Sequence, residues 1–257
     1  MSKVGSARIE NLYRYPVKGL TPEPLESVVL TPLETLPFDR AYAIENGPGP
    51  FDPSCPKHRP KIHFLMLMRN EGLATLRSRF DDSTHTLVLS RDGSELARGD
   101  LRTDAGRTAI EDVISTTVIS GLRGRPRVVS SPGHSFSDVA SKCVHIINLA
   151  SLRALGTMLG ATLDPRRFRP NLVIDGLEPW REFELIGKKL RSSEATLEIF
   201  KRTERCAATN VNPDTAARDL KIPSFLSKAL GHTDFGVYAR VISGGPLAVG
   251  DMLTITD

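Results

Sequence analysis

FGVYARVISGGPLAVGDMLTI, residues 235–255, decides the fold. Val, Ile, Tyr and Phe dominate both of its ends, and SGGP interrupts it at 243–246. β-branched and aromatic residues suit a pleated, half-buried surface, while Gly and Pro end regular structure. The stretch therefore reads as a closing pair of strands around SGGP. Similar runs recur upstream: RIENLYRYPV (8–17), LESVVL (25–30), AYAIEN (41–46), THTLVLSR (84–91), CVHIINL (143–149), NLVIDG (171–176), FELIGKKLRS (183–192) and TLEIFKR (196–202). The turn-forming stretches TPEP, GPGPFDPSCP and RDGS separate the earlier ones. Helical spacing of apolar residues appears in DAGRTAIEDVISTTV (104–118), NLASLRALGTML (148–159) and SFLSKALG (224–231), and more weakly in MRNEGLATLRSRF (68–80). Asn148 or Ser151 suits the N-cap of the second of these, and Gly231 the end of the third. Many short strands with few helices predict a mainly β protein built from barrels, not a doubly wound sheet.

The segment LRGRPRVVSSPGHSFSD (122–138) reads as a linker into a second unit. The predicted organisation is an N-terminal β-barrel-like domain over 1–121 and a second β-barrel with a few short helices over 122–257. A chain of 257 residues, 40% hydrophobic and 25% charged, holds enough apolar material for such cores.

Composition narrows the functional classes. The formal charge is +4, from 34 Lys and Arg against 30 Asp and Glu, a mild bias toward an anionic ligand. No block of five or six like charges appears, and aromatics are 6%, so nucleic acid is not the expected partner. The longest apolar runs, such as FLMLM (64–68), are too short for a membrane span, and MSKVGSARIENLYRYPV lacks a signal-peptide core. Cys55, Cys143 and Cys206 form neither a disulfide framework nor a zinc pattern; CPKH (55–58) is half of one at most. The expected location is cytoplasmic, with reduced thiols. No nucleophile elbow, Walker loop, dinucleotide fingerprint or zinc-binding His pair appears, and His134 and His232 read as loop or surface residues.

KRTERCAATNVNP (201–213) carries the chemistry. Cys206 follows Arg205 and lies close to Lys201 and Arg202; nearby cations favour the thiolate, the form that attacks electrophiles and binds soft metals. Small residues after it leave room at the sulfur. The alternative reading is a loop cysteine without a role. Arg169, in RFRPN (167–171), presents a rigid fork of donors that matches phosphate or carboxylate, or else a solvated charge where a strand begins. Lys18, ahead of Gly19, suits an anion, and Asp39–Arg40 reads as a structural ion pair or part of the same site.

Taken in order, LYRYPVKGL, PFDRAYAI, NLASL, RFRPNLVIDG, WREFELIG, ERCAATNVNPDT and FGVYARVISGGPLAVGDML resemble the molybdenum cofactor sulfurase C-terminal (MOSC) family with its N-terminal β-barrel domain, over about residues 8–254. The resemblance is to the branch of the mitochondrial amidoxime-reducing component and its bacterial relatives. It implies a molybdenum-pyranopterin cofactor with Cys206 as metal ligand and catalytic residue. It implies cofactor contacts from Lys18, Arg40, Asn148, Ser151, Arg169, Asn171 and Thr209, in the cleft between the two domains. The activity implied is reduction of small N-oxygenated (N-hydroxylated) compounds with electrons from a separate redox protein. A sulfur carrier using a persulfide on Cys206, and a non-catalytic cofactor-binding or storage module, are the rival readings. Three departures bear on the activity: Gly19 replaces a serine, and Asn210 and Asn212 stand where the reductases commonly carry Thr and Asp.

Overall fold

The first strand of the computed structural model, which describes residues 5–118 and 121–257, explains how the chain closes on itself. β1 (Ser6–Arg14) buries Ala7 and Ile9, then Leu12 and Arg14. The inward set changes from odd to even positions because the register against its partner slips between Ile9 and Asn11. A bulge of this kind adds one residue and flips the faces of all that follow. β2 (Glu23–Leu25) and β3 (Ser27–Leu30) follow.

Seven strands close into a barrel. They are β1, β9 (Val144–Asn148), β10 (Leu172–Asp175), β11 (Lys189–Arg191), β12 (Thr196–Glu204), β13 (Asp234–Ser243) and β15 (Met252–Thr256). Their order is β10-β9-β13-β12-β11-β15-β1, and β1 returns to pair with β10. β2 extends β1 on the outside, and β14 (Gly245–Ala248) pairs with β3. β9 and β10 run parallel, which requires a crossover, and α2 (Leu149–Leu159) supplies it. Asn148 caps α2, accepting from the Ala150 amide, and Gly160 ends it in the left-handed region.

β9 is buried along its whole length. Val144 and Ile146 point into the barrel core with Leu172, Ile174, Val237 and Leu253. Ile147 points outward, under α2 and α3 (Ile222–Leu230), where it meets Leu155, Phe168, Leu226 and Phe235. Covering both faces explains why apolar residues in CVHIINL face both ways. Each fully buried Leu or Ile here contributes roughly 1.5–3 kcal/mol.

The rest of the N-terminal half forms two small sheets around a second core. β4 (Tyr42–Glu45) pairs with β8 (Arg127–Ser130). β5 (Arg77–Asp81), β6 (Thr86–Arg91) and β7 (Ser94–Asp100) form a meander. α1 (Asp104–Thr117) lays Ile110 and Ile114 on Ile44, Leu73, Leu89 and Val128. The Thr103 hydroxyl caps it by accepting from the Gly106 amide.

The molecule is mainly β, with three α-helices among the described residues. Local predictions fail in four places. In 68–80 only a 3₁₀ turn at Glu71–Thr75 is helical, and its end is β5. In 183–192 only Lys189–Arg191 is a strand, because a 3₁₀ turn takes Arg181–Leu185. The expected linker 122–138 contains β8. The two ends of 235–255 do not pair with each other. β13 pairs with β12 and β9, β15 with β1 and β11, and Gly245–Ala248 form β14.

Candidate functional site

Just past the barrel strand β1, the chain turns through Tyr15–Leu20. The Tyr15 amide donates to Asp39 Oδ1 at 2.8 Å, and the Arg40 amide donates to the Tyr15 carbonyl at 2.7 Å. Lys18 donates its backbone N–H to Tyr42 O at 2.8 Å. Gly19 completes the turn at φ +89°, where a Cβ would lie 3.0 Å from the Leu65 carbonyl oxygen. A serine at this position would be strained, so the departure at Gly19 belongs to the backbone path.

Arg40 and Arg169 both have left-handed backbones, at φ 55° and 53°. Such conformations are uncommon for bulky L-residues and concentrate at functional sites. Arg169 ends the 3₁₀ turn Pro165–Phe168 and precedes Pro170, two residues ahead of β10. The two guanidinium carbons lie 4.6 Å (Arg40) and 4.1 Å (Arg169) from the Tyr15 ring centroid, within cation–π range. Arg40 pairs with Asp39, and its Nη2 donates to the Arg169 carbonyl at 3.2 Å. Arg169 Nη1 donates to the Leu20 carbonyl at 2.7 Å, while its buried Nη2 finds no partner among the described residues.

The same Arg169 carbonyl meets His145 Nδ1 at 3.2 Å, and His145 Nε2 meets Arg205 Nη1 at 3.4 Å. A guanidinium only donates, so Nε2 accepts and Nδ1 carries the proton. Burial first, then Arg205, pulls the His145 pKa well below its ordinary value. The ring is thus a neutral spacer between two arginines. Arg205 Nη2 also donates to the Phe168 carbonyl at 2.6 Å, and its Nε is buried without a partner among the described residues.

These groups line a cleft of about 270 Å³ between the two halves of the chain. Its wall carries eight Lys or Arg side chains against three carboxylates, and Cys206 opens onto it. Lys18 is buried; its Nζ donates to Phe136 O at 2.8 Å and pairs with Asp138. Burial lowers the Lys18 pKa, and Asp138 opposes that shift. Partial burial works against charge on Asp138 too, but Lys18, with Lys61 and Arg40, holds its half-exposed carboxyl well below the usual range. Burial brings the Arg169 pKa down to about 10 and lowers that of Arg205, and both remain cationic at neutral pH. Among the described residues, neither Arg169 nor Arg205 pairs with a carboxylate, so their charges face the cleft uncompensated.

Cys206 is half-buried and begins the 3₁₀ turn Ala207–Asn210. Its carbonyl accepts from the Thr209 amide at 3.1 Å and the Thr209 hydroxyl at 3.0 Å. Thr209 therefore shapes the turn and does not line the cleft. Asn171 is buried at the cleft floor; its Oδ1 accepts from the His145 amide and its Nδ2 donates to the Tyr13 carbonyl.

Of the eight residues expected from the sequence, five line the cleft: Lys18, Arg40, Arg169, Asn171 and Cys206. Asn148 and Ser151 do not. The Asn148 amide donates to Glu178 O and Glu182 Oε2, and the Ser151 hydroxyl donates to the same Glu182 oxygen at 2.7 Å. Asn148 caps α2, and both side chains hold a buried carboxylate. Sequence reasoning missed Tyr15, Asp138 and His145. A histidine inside the apolar run CVHIINL was the available signal for the last.

Among the described residues, no group of three or more His, Cys, Asp and Glu converges as a metal-ligand set. No described helix is long and apolar enough to cross a membrane.

The family model for the MOSC domain matches residues 132–254, and that for the MOSC N-terminal beta barrel domain matches residues 6–122. β1 lies in the second match but closes the barrel formed mainly by the first. Mitochondrial amidoxime reducing component 2 of Rattus norvegicus is 32% identical over 120 residues, 42% of this chain and 35% of that protein. Its Bos taurus counterpart is 30% identical over 120 residues, with the same coverage of 42% and 35%. The chain matches about a third of the length of these curated relatives. The solved structure of the YUAD protein from Bacillus subtilis gives a TM-score of 0.47 at 14% identity, covering 99% of this chain and 98% of that one.

Proposed function

The chain belongs to the MOSC domain family, with the family's N-terminal beta barrel domain, and on that premise we propose that it is a molybdenum-cofactor-dependent reductase of small N-oxygenated compounds. One observation carries this reading. Cys206 opens onto the same cleft as two partly buried arginines, Arg169 and Arg205, that have no carboxylate partner among the described residues and each hold an unpaired buried N–H.

The residues present fit the cofactor. Cys206, the more exposed of the cleft's two thiols and without a converging ligand set among the described residues, suits a metal whose other ligands come from an organic group. Cationic forks with spare donors suit a phosphate. Arg169, Arg40 and Lys18 would hold the phosphate end, and Cys206 would ligate the molybdenum. Bound, the cofactor supplies two-electron redox chemistry, and the protein supplies position and field.

The chain's own contributions follow from its geometry. The Tyr15 ring holds two like charges side by side, which keeps the forks pre-aimed at little cost in side-chain entropy. Thr209 fixes the turn that presents Cys206, and His145 fixes Arg205 next to it. The amidoxime-reducing relatives support the substrate class. The balanced reaction for an amidoxime takes two electrons and two protons and gives an amidine and water. A separate redox protein would deliver the electrons, and a cytoplasmic setting suits the three free thiols.

The test is conversion of an aromatic amidoxime to its amidine by cofactor-loaded protein with a chemically reduced dye as electron source. Turnover that is lost in Cys206→Ala supports the proposal. A loaded protein without turnover contradicts it in favour of a binding module. Reductant-labile sulfur on Cys206 in place of molybdenum would mark a sulfur carrier.

A further inference from the structure

Two carboxylates stand among the cations at the Lys18 end of the cleft, and they are held very differently. Asp39 is 2% exposed, pairs with Arg40 and accepts from the Tyr15 amide. It is locked into the turn that builds the site. The Asp138 side chain is 49% exposed and sits in 131–142, a segment without helix or strand. Among the described residues, its carboxylate bonds to Lys18 alone.

Lys18 does not depend on that contact for its position. Its ammonium also donates to the Phe136 carbonyl, its backbone N–H is tied to Tyr42, and the side chain is buried. Removing Asp138 leaves the ammonium where it is, with donors free. An ammonium has three donors, and one of them is spent on Asp138.

We propose that Asp138 is a built-in competitor for Lys18, a half-exposed carboxylate that occupies the lysine's anion position and sets how tightly the cleft takes an anionic group. This rests on the reading of the cleft as an anion site. A phosphate-type dianion at Lys18 either displaces the carboxylate or sits beside it against like-charge repulsion. Either way the bound state is weakened relative to a cleft with a neutral side chain at 138. The competitor also keeps Lys18 compensated, and so limits what weak monoanions gain there.

The test is calorimetric titration of the full chain with inorganic phosphate at fixed ionic strength. Parent, Asp138→Asn, Asp138→Ser and Lys18→Gln are compared. The proposal expects both Asp138 variants to bind phosphate about tenfold more tightly than the parent, since each 1.4 kcal/mol is a factor of ten. It expects Lys18→Gln to lose most of the binding. Equal or weaker binding by both Asp138 variants, with the parent binding, overturns the competitor role and leaves the anion site standing. No phosphate binding by the parent or by either Asp138 variant overturns both.

Discussion

The side-chain amide of Asn212 donates to Oδ2 of Asp219 at 2.9 Å, and the same oxygen accepts from Arg167 Nη2 at 2.7 Å. Arg167 is buried and lines the cleft, so Asp219 is the carboxylate that balances it. Asn212 Oδ1 accepts from the amides of Asp214 and Thr215 and closes the loop. A charge at 212 would face Asp219. Asn210 is spent likewise: its side-chain oxygen accepts from the Ile222 amide at the start of α3.

Asn212→Asp should therefore destabilise the protein by about 1–2 kcal/mol, from the lost donor and the new like-charge contact. Asp219→Asn should cost about 2 kcal/mol, because it leaves a buried guanidinium without its partner, less than a fully buried pair since Asp219 is partly exposed. Urea unfolding of both variants checks this. A stabilised Asn212→Asp would show that the loop prefers the acid at 212.

His145 predicts a pH dependence. Its pKa in the fold is depressed, so the unfolded chain binds a proton that the native state refuses. Stability is then full above the unfolded value of about 6.5 and falls as pH drops below it, by up to about 1.4 kcal/mol per unit, until the folded pKa is reached. His134 is depressed in the same direction and adds to the trend. Denaturant midpoints at pH 5 and 7 should differ less in His145→Gln than in the parent. An identical pH difference would show that His145 is protonated in the native state.

Ser151 separates fold from site. Its hydroxyl donates to Glu182 and accepts from the Trp180 amide at 2.8 Å. Ser151→Ala leaves both short of a partner and should cost about 2 kcal/mol in unfolding free energy. Molybdenum per folded molecule should stay at the parent level. Loss of metal from a folded Ser151→Ala protein would return this residue to the cofactor site.

What was legible in the sequence was local. Val, Ile and aromatic runs mark most of the strands, and Asn148 and Gly231 mark helix ends. β8 was hidden because four residues between Gly-, Pro- and Ser-rich flanks carry too little periodicity to outweigh their surroundings. The pairing of 235–255 was misread because a hairpin is the local solution, whereas β13 and β15 find partners far along the chain. The site shows the same limit. Cys206, Lys18, Arg40 and Arg169 announce their chemistry by type and by family pattern. Asp138 and Tyr15 act through a neighbour brought from a distant segment. That the Asn148 and Ser151 side chains turn to Glu182 depends on where the 3₁₀ turn Arg181–Leu185 packs.

Metal and pterin content of protein produced in a cofactor-making host, beside Cys206→Ala and Arg169→Ala, tests the central claim most directly. The account predicts near-stoichiometric molybdenum and pterin in the parent, molybdenum reduced in Cys206→Ala, and both reduced in Arg169→Ala with the fold intact. A parent that carries neither under conditions that load a known molybdenum enzyme in the same cells would contradict it.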